Sequence, residues 1–215
     1  MLLFEQFLNE QAGAKLKHLD HPEDNAISSH AGFAHAFHAL HDVHKALKGQ
    51  KHTSKITTKL DGSPSIVFGH HPESGKFFVA SKSAFNKNPK INHTHEDIDR
   101  NHGHSPGLAN KLHQALNHLP KVTPKKGVYQ GDFMHSHDEM KHTDTHVHFK
   151  PNTISYSLHK GSTEGKKAAE SKIGVAVHTK YEGKTFETMH ATPHVDHEKF
   201  KQHKDVHLIS PEAKL

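Results

Sequence analysis

Residues 56–80 read ITTKLDGSPSIVFGHHPESGKFFVA, and this stretch determines the kind of fold that we expect. Short apolar runs and period-two patterns over 56–60, 65–69 and 76–80 are typical of β-strands. Residues 73–75, Glu-Ser-Gly, separate the last two runs and predict the turn of a hairpin. The stretch therefore predicts consecutive strands of an antiparallel sheet.

Outward from this stretch the apolar pattern changes to a helical period. A helix is predicted over 30–48, because Ser29 is a favourable N-cap and Gly49 is a typical helix end. A second helix is predicted over 106–119, with Pro106 suited to its first turn. The apolar residues of the first helix recur every three or four positions and are interpreted as core; they are Phe33, Phe37, Leu40, Val43 and Leu47.

The rest of the chain continues both patterns, and no repeat or linker divides it. We therefore expect an α+β fold of mostly antiparallel sheets with flanking helices. A helical segment over 1–50 is expected to pack on a main domain over 51–190, followed by a polar C-terminal tail over 191–215. Further strands are predicted over 56–60, 127–134, 145–149, 153–158 and 173–179, and short helices over 2–9, 163–171 and 196–203.

The composition excludes several classes of protein. The chain of 215 residues is 32% hydrophobic and has no run of about 20 apolar residues, so neither a membrane span nor a membrane partner is expected. The absence of cysteine removes disulfides, thiolate metal sites and cysteine nucleophiles. The formal net charge of +5 permits contact with a phosphate backbone without requiring it.

Histidine is the most unusual feature of the composition, with 28 residues. If residues 142–148 form one strand, then His142, Asp144, His146 and His148 share a face, because side chains alternate along a strand. Zinc accepts imidazole and carboxylate ligands in such an arrangement. The alternative, a solvated polar strand face, is favoured because the chain has no HExxH pattern.

The stretch Lys59-Leu60-Asp61-Gly62 carries the strongest chemical signal. A lysine amine that is partly neutral can attack the α-phosphate of a nucleotide and form a phosphoramidate. Asp61 can bind ribose or place the amine, and Gly62 lets the backbone approach a ligand closely. The alternative is an ordinary strand with exposed lysines that runs into a turn, since Asp-Gly is a common hairpin signal.

Two further strands carry residues that suit the same chemistry. Lys82 follows the strand that ends near Ala80, and Asp132 lies on the predicted strand over 127–134. A nucleophile, a phosphate-binding cation and a carboxylate are the groups that phosphoryl-type transfer requires.

In these motifs the chain resembles the adenylation domain of the covalent nucleotidyltransferase superfamily, which includes ATP-dependent DNA ligases, RNA ligases and mRNA capping enzymes. Residues 59–62 match the first motif of the family, KxDG, whose lysine is the nucleophile. Lys82 stands where the family often has an arginine that contacts phosphate. Asp132 stands where the family has a glutamate that contacts ribose or metal.

The later motifs match less closely. Tyr156 lies in a strand that resembles the family strand ending near an aromatic residue that stacks on the base. The fourth motif, Glu-Gly with an apolar run and a basic residue, falls on 172–178, where its glutamate position is not filled. The fifth motif has two lysines, for which Lys180 is the single good match. The run over 59–179 also resembles a ligase-like family of tailed bacteriophages.

The resemblance implies an ATP-dependent nucleic-acid ligase-like enzyme that forms a lysyl-AMP at Lys59 and transfers AMP to a 5′-phosphate end. It implies ATP and Mg²⁺ as cofactors, with Asp132 as the metal ligand, and nucleic-acid ends as partners. It implies a location in the cytoplasm of an infected bacterial host, or in the virion beside other virion proteins. The alternative is a non-catalytic phage structural or nucleic-acid-binding protein on the same fold. Neither DNA versus RNA nor ATP versus GTP follows from the motifs.

Overall fold

The computed structural model describes residues 22–53 and 56–213, so the helix expected over 2–9 lies outside the described residues. The chain divides into two compact units, of which the larger contains residues 60–210. The smaller contains the described residues before 60 together with 211–213. Each unit is described by itself.

Two helices make up most of the smaller unit: α1 (Pro22–Ser28) and α2 (His30–Leu47). The predicted N-cap is confirmed, because the Ser29 side chain accepts a hydrogen bond from the Gly32 N–H at 3.0 Å. The expected strand over 56–60 is wrong. Among the described residues, Thr57 makes one isolated bridge with Glu212, and residues 56–60 form no strand.

The interpretation of the apolar residues of α2 as core is also wrong. Phe33 and Phe37 are each 58% exposed, and Leu47 is 69% exposed. The buried side of the helix consists of small residues, among them Ala36 and Ala46. A helical period identifies a shared face of a helix, but the packing of the chain decides whether that face is covered.

A six-stranded sheet forms the centre of the larger unit. Its strands are β1 (Ser65–His70), β2 (Phe77–Ala80), β3 (Val128–Ser136), β7 (Ile173–Glu182), β8 (His190–Thr192) and β9 (Val206–Ile209). Their order is β2-β1-β3-β7-β8, and β9 also pairs with β7. All neighbours are antiparallel except β7 and β9, which are parallel. This confirms the α+β class.

Two helices cover one face of this sheet: α3 (His95–His102) and α4 (Pro106–His118). Leu112 of α4 and Ile98 of α3 are fully buried in the same cluster as Phe68 and Phe133. α3 was not predicted from the sequence, although Thr94 and Asp97 form a capping box at its start. A capped helix of eight residues is too short to show a clear apolar period.

A three-stranded sheet and a helix lie beside the other face of the main sheet. They are β4 (Lys141–His142), β5 (His146–Phe149), β6 (Tyr156–His159) and α5 (Thr163–Glu170). β5 confirms the strand predicted over 145–149, but residues 142–148 are two paired strands and a turn, so the condition for a shared histidine face is not met. Because His142 aligns with the buried Val147, it lies on the opposite face from His146 and His148. The proposed histidine ligand set is not assembled.

The segment expected as a polar tail belongs to the main sheet. β9 pairs with residues 173–176 of β7, and Val206 and Phe200 are buried in the central cluster. The helix expected over 196–203 is one 3₁₀ turn, His197–Lys199. The apolar run of β9 is only four residues long and stands in a polar stretch, so it was not recognised as a strand, and it joins the sheet through its long-range pairing with β7.

Candidate functional site

The candidate site lies where the chain enters β1 beside β3. The Ser63 N–H donates to the Phe133 carbonyl at 3.0 Å, and the Phe133 N–H donates to the Pro64 carbonyl at 3.0 Å. These two bonds hold the Asp61-Gly62 turn against the middle of β3. The Asp-Gly turn of the KxDG motif and Asp132, which the sequence predicted separately, are therefore adjacent within the larger unit.

Gly62 is required by this close approach. A Cβ at this position would lie 2.5 Å from the Cβ of Asp132 and 2.7 Å from the Sδ of Met134. β3 is a central strand, hydrogen-bonded to β1 on one side and to β7 on the other. It cannot move away from the turn without the loss of some of these hydrogen bonds. The glycine of the KxDG motif thus has a packing role in addition to any role in ligand approach.

We expect Gly62→Ala to lower the free energy of unfolding by about 1.5 kcal/mol, because an added methyl group in a closed contact forces backbone shifts. Gly107→Ala is the matched control, since nothing lies within 4 Å of a Cβ at that position. Urea unfolding monitored by circular dichroism measures both variants. Equal stability of the two would contradict this packing role.

The Asp61 carboxylate binds the loop that leads into β6. It accepts hydrogen bonds from the Asn152 side chain at 2.8 Å, from the Thr153 N–H at 2.8 Å and from the Ile154 N–H at 2.9 Å. Asp61 also donates its own N–H to the Tyr156 hydroxyl at 2.8 Å. These contacts give Asp61 a structural role that the sequence did not predict.

Tyr156 joins the same cluster through its ring. The ring stacks on Phe149 with centroids 5.3 Å apart and an interplanar angle of 14°. Tyr156 is half-buried, so part of the ring remains accessible. The residue expected to stack on a nucleotide base thus lies next to Asp61, in van der Waals contact with a core aromatic ring.

Asp132 faces a histidine that the sequence analysis did not select. The His178 Nε2 lies 3.5 Å from the Asp132 Oδ1, and the two side chains are 32% and 22% exposed. His178 falls in a β-bulge of β7, because Gln130 aligns with Thr179 and Gly131 with Val177. Its position after the apolar run of the fourth motif was the available signal, but the bulge that turns it toward Asp132 could not be foreseen.

Lys82 lies at the same end of the sheet. Val67 of β1 aligns with Ala80 on one side and with Gln130 on the other. β2 therefore ends beside Gln130, and Lys82 follows it, exposed, in a 3₁₀ turn toward the level of Asp132. The two backbones are two strand spacings apart, about 10 Å.

Lys180 lies apart from Asp132 and Lys82. It aligns with Tyr129, whose ring packs in the cluster under α3 and α4, so Lys180 lies on the opposite face of the sheet from Asp132. Its Nζ pairs with the Glu182 carboxylate at 2.7 Å. The structure therefore separates the two lysines that were expected to neutralise phosphate together.

Lys59 is exposed and is the last residue of the smaller unit before Leu60. It precedes Asp61 by two residues, as the KxDG motif requires. Its side chain is accessible to a ligand from solvent.

A single carboxylate, Asp132, is the metal-binding group that the sequence predicted. No group of three or more histidine or acidic side chains in the described part of the chain is arranged to hold a metal ion. Magnesium commonly binds through one or two carboxylates together with substrate phosphates and water. Asp132, whose side chain is 22% exposed, supplies one carboxylate of this kind.

The fold and the site define an α+β protein in which a KxDG turn packs against an acidic residue of a central, mostly antiparallel sheet. The model of a family of unknown function, DUF6267, matches residues 15–215, and the chain belongs to this family. No curated protein and no solved structure matches the chain. None of the helices over 22–53 and 56–213 has the length and apolar character of a membrane span.

Proposed function

We propose that the protein is a covalent nucleotidyltransferase of the nucleic-acid ligase type, with Lys59 as the nucleophile. The observation that carries the proposal is the packing of the Asp61-Gly62 turn against Asp132, with Lys82 at the same end of the sheet. Residues from four separate stretches of sequence, including Tyr156, contribute to this region of the larger unit.

The reaction has two steps. The Lys59 Nζ attacks the α-phosphorus of ATP and forms a P–N bond, while the bond from that phosphorus to the α–β bridging oxygen breaks. Pyrophosphate leaves with the electron pair, and the proton of the amine passes to solvent. An oxygen of a 5′-phosphate end then attacks the same phosphorus, the P–N bond breaks, and the Lys59 amine is regenerated.

Each residue of the site has a defined task in this proposal. Asp132 would hold ribose or the magnesium ion, which supplies positive charge to the phosphates. Lys82 would neutralise phosphate charge, and the accessible part of the Tyr156 ring would stack on the base. Asp61 would hold the loop over 152–154 in place and so shape the pocket.

Incubation of the protein with α-³²P-labelled ATP and magnesium is expected to leave label covalently attached to the chain. Lys59→Ala and Lys59→Arg should both abolish this label, because alanine offers no nitrogen and the guanidinium of arginine stays protonated and is a poor nucleophile. Lys51→Ala, which removes an exposed lysine of the same unit, should label like the unchanged protein. Transfer of the label to a 5′-phosphorylated oligonucleotide then tests the second step, with DNA and RNA compared.

The absence of label with ATP, GTP, CTP and UTP, from protein that is folded by circular dichroism, would overturn the proposal. Label that persists in Lys59→Ala would assign the chemistry to another residue. Both outcomes are read from a denaturing gel, so that bound but unreacted nucleotide does not contribute.

A non-catalytic nucleic-acid-binding protein on the same fold is the second candidate. Two observations favour it: Lys180 lies on the opposite face of the sheet from Asp132, and the Asp61 carboxylate is used by the loop over 152–154. This candidate predicts salt-dependent binding to a labelled oligonucleotide by a protein that forms no covalent adenylate. As a structural phage protein it would be a stoichiometric component of the virion.

A further inference from the structure

One face of α2 is an apolar stripe that the described residues leave uncovered. Each of its five members is at least 36% exposed: Phe33, Phe37, Leu40, Val43 and Leu47. A large side chain presents about 150–250 Å² of surface, so the exposed fractions amount to about 500 Å² of apolar surface. A contiguous patch of this size on a protein surface indicates an interaction site.

The two formally charged residues of α2 lie on the far side of the helix from this stripe. An α-helix turns by about 100° per residue, so Asp42 is about 160° and Lys45 about 140° around the axis from Leu40. One histidine, His44, lies on the stripe itself, about 40° from Leu40. A partner that covers the stripe therefore desolvates no formal charge, as is typical of the centre of a protein–protein interface.

The stripe has the same spacing in both directions from Leu40. Phe37 and Phe33 lie three and seven positions before it, and Val43 and Leu47 lie three and seven positions after it. In an antiparallel pair of α2 helices that cross at Leu40, Phe37 would face the Val43 of the second copy. Phe33 would face its Leu47, so that large side chains lie opposite smaller ones and can interdigitate. The stripe is thus complementary to itself, which is what a two-fold symmetric interface requires.

We propose that the partner of this face is a second copy of the chain, and that two α2 helices pair antiparallel about a two-fold axis at Leu40. The pair buries about 1,000 Å² of apolar surface, which reaches the size at which specific interfaces begin. The interface requires no residue of the candidate nucleotide site, so dimerisation and nucleotide chemistry are separate properties of the chain.

The mass of the full chain in solution tests this interface, measured by light scattering and analytical ultracentrifugation over a range of concentrations. We expect a dimer that dissociates on dilution. Leu40→Glu should weaken it by about 100-fold, because the substitution places two carboxylates face to face at the axis. His38→Glu is the matched control, since it adds the same charge to an exposed position about 160° around the helix and should leave the dimer intact.

A cross-linking experiment tests the position of the axis without a charge in the apolar stripe. The chain has no cysteine, so one introduced cysteine reports on a single contact. Leu40→Cys is expected to form a disulfide-linked dimer on oxidation. Helix axes about 8–10 Å apart bring facing Cα atoms at a crossing within the range of about 4.4–6.8 Å that a disulfide spans. His38→Cys, on the far side, should remain monomeric on a non-reducing gel.

Three results would each refute the proposal. The first is a monomer at every concentration, whether the stripe is then covered by another part of the chain or left for a different partner. The second is a dimer that Leu40→Glu, folded by circular dichroism, does not weaken. The third is cross-linking of Leu40→Cys that is no greater than that of His38→Cys. None of these measurements uses a nucleotide, so they are independent of the labelling experiment with ATP.

Discussion

Acidification from about pH 6.5 to about pH 4.5 is expected to lower the free energy of unfolding by about 2.3 kcal/mol through His135 alone. His135 is 2% exposed, and burial lowers the pKa of its imidazole from 6.5 to about 3, with His207 and Lys111 acting in the same direction. The folded protein therefore keeps this ring neutral throughout the interval, whereas the unfolded chain takes up the proton.

The contacts of His135 explain why the folded state resists the proton. Its Nε2 lies 3.2 Å from the Nδ1 of His207, whose own Nε2 faces the Glu164 carboxylate at 2.7 Å. The His135 Nδ1 is buried and has no hydrogen-bond partner among the described residues. A proton on this nitrogen would place an unpaired charge in the core, which is costly.

The sign of the effect follows from the proton balance. A histidine with a lowered folded pKa destabilises the fold wherever the unfolded state binds more protons, which is below about pH 6.5. Stability is therefore fully present above that pH and falls as the pH decreases toward the folded pKa of about 3. Burial also lowers the pKa of His207, against the opposing effect of Glu164, and adds to the loss in the same direction.

Urea unfolding at a series of pH values between 7.5 and 4.5 measures this dependence. His135→Leu is expected to reduce the slope by about 1.4 kcal/mol per pH unit, because it removes one proton-binding group of the unfolded state. The exposed His104→Gln is the control and should keep the slope of the unchanged protein. An unchanged slope in His135→Leu would contradict a neutral, buried His135.

Asp61→Ala is expected to lower the free energy of unfolding by about 2.5 kcal/mol, because hydrogen bonds to a charged acceptor contribute more than neutral ones. The substitution removes the partner of the Asn152 side chain and of the Thr153 and Ile154 N–H groups in one step. These groups belong to the loop that leads into β6, so hydrogen exchange of that loop should accelerate as well.

Two further variants define the size of the effect. Asn152→Ala removes one of the bonds and is expected to cost about 1 kcal/mol. Asp144→Ala, in the exposed turn between β4 and β5, should change stability by less than about 0.5 kcal/mol. If Asp61→Ala keeps its stability but loses labelling by ATP, the carboxylate contacts ligand and the structural role is refuted.

Much of the secondary structure follows from short stretches of sequence. The cap at Ser29, the hairpin between β1 and β2 and the helix after Pro106 all depend on neighbours within a few residues, and the structure confirms each. The KxDG turn and the strand with Asp132 were likewise recognisable as a pair of motifs. Local patterns suffice here because caps, turns and apolar periods act over one or two turns of chain.

The contacts that define the candidate site depend on residues far apart in the sequence. Asp61 is hydrogen-bonded to the loop over 152–154, which lies more than 90 positions later in the sequence. His135 contacts His207, which lies 72 positions later. The face on which Lys180 lies depends on one extra residue at the β7 bulge, since a shift of one residue exchanges the two faces of a strand. No local period specifies such a shift.

The sequence by itself thus determined an α+β chain with a KxDG motif and an acidic strand, the two elements on which the proposed function rests. Only the tertiary structure decided that Gly62 packs on Asp132, that His178 faces the same carboxylate and that Lys180 does not. The physical reason is register: strand pairing fixes which side chains share a face, and pairing is set by the whole sheet.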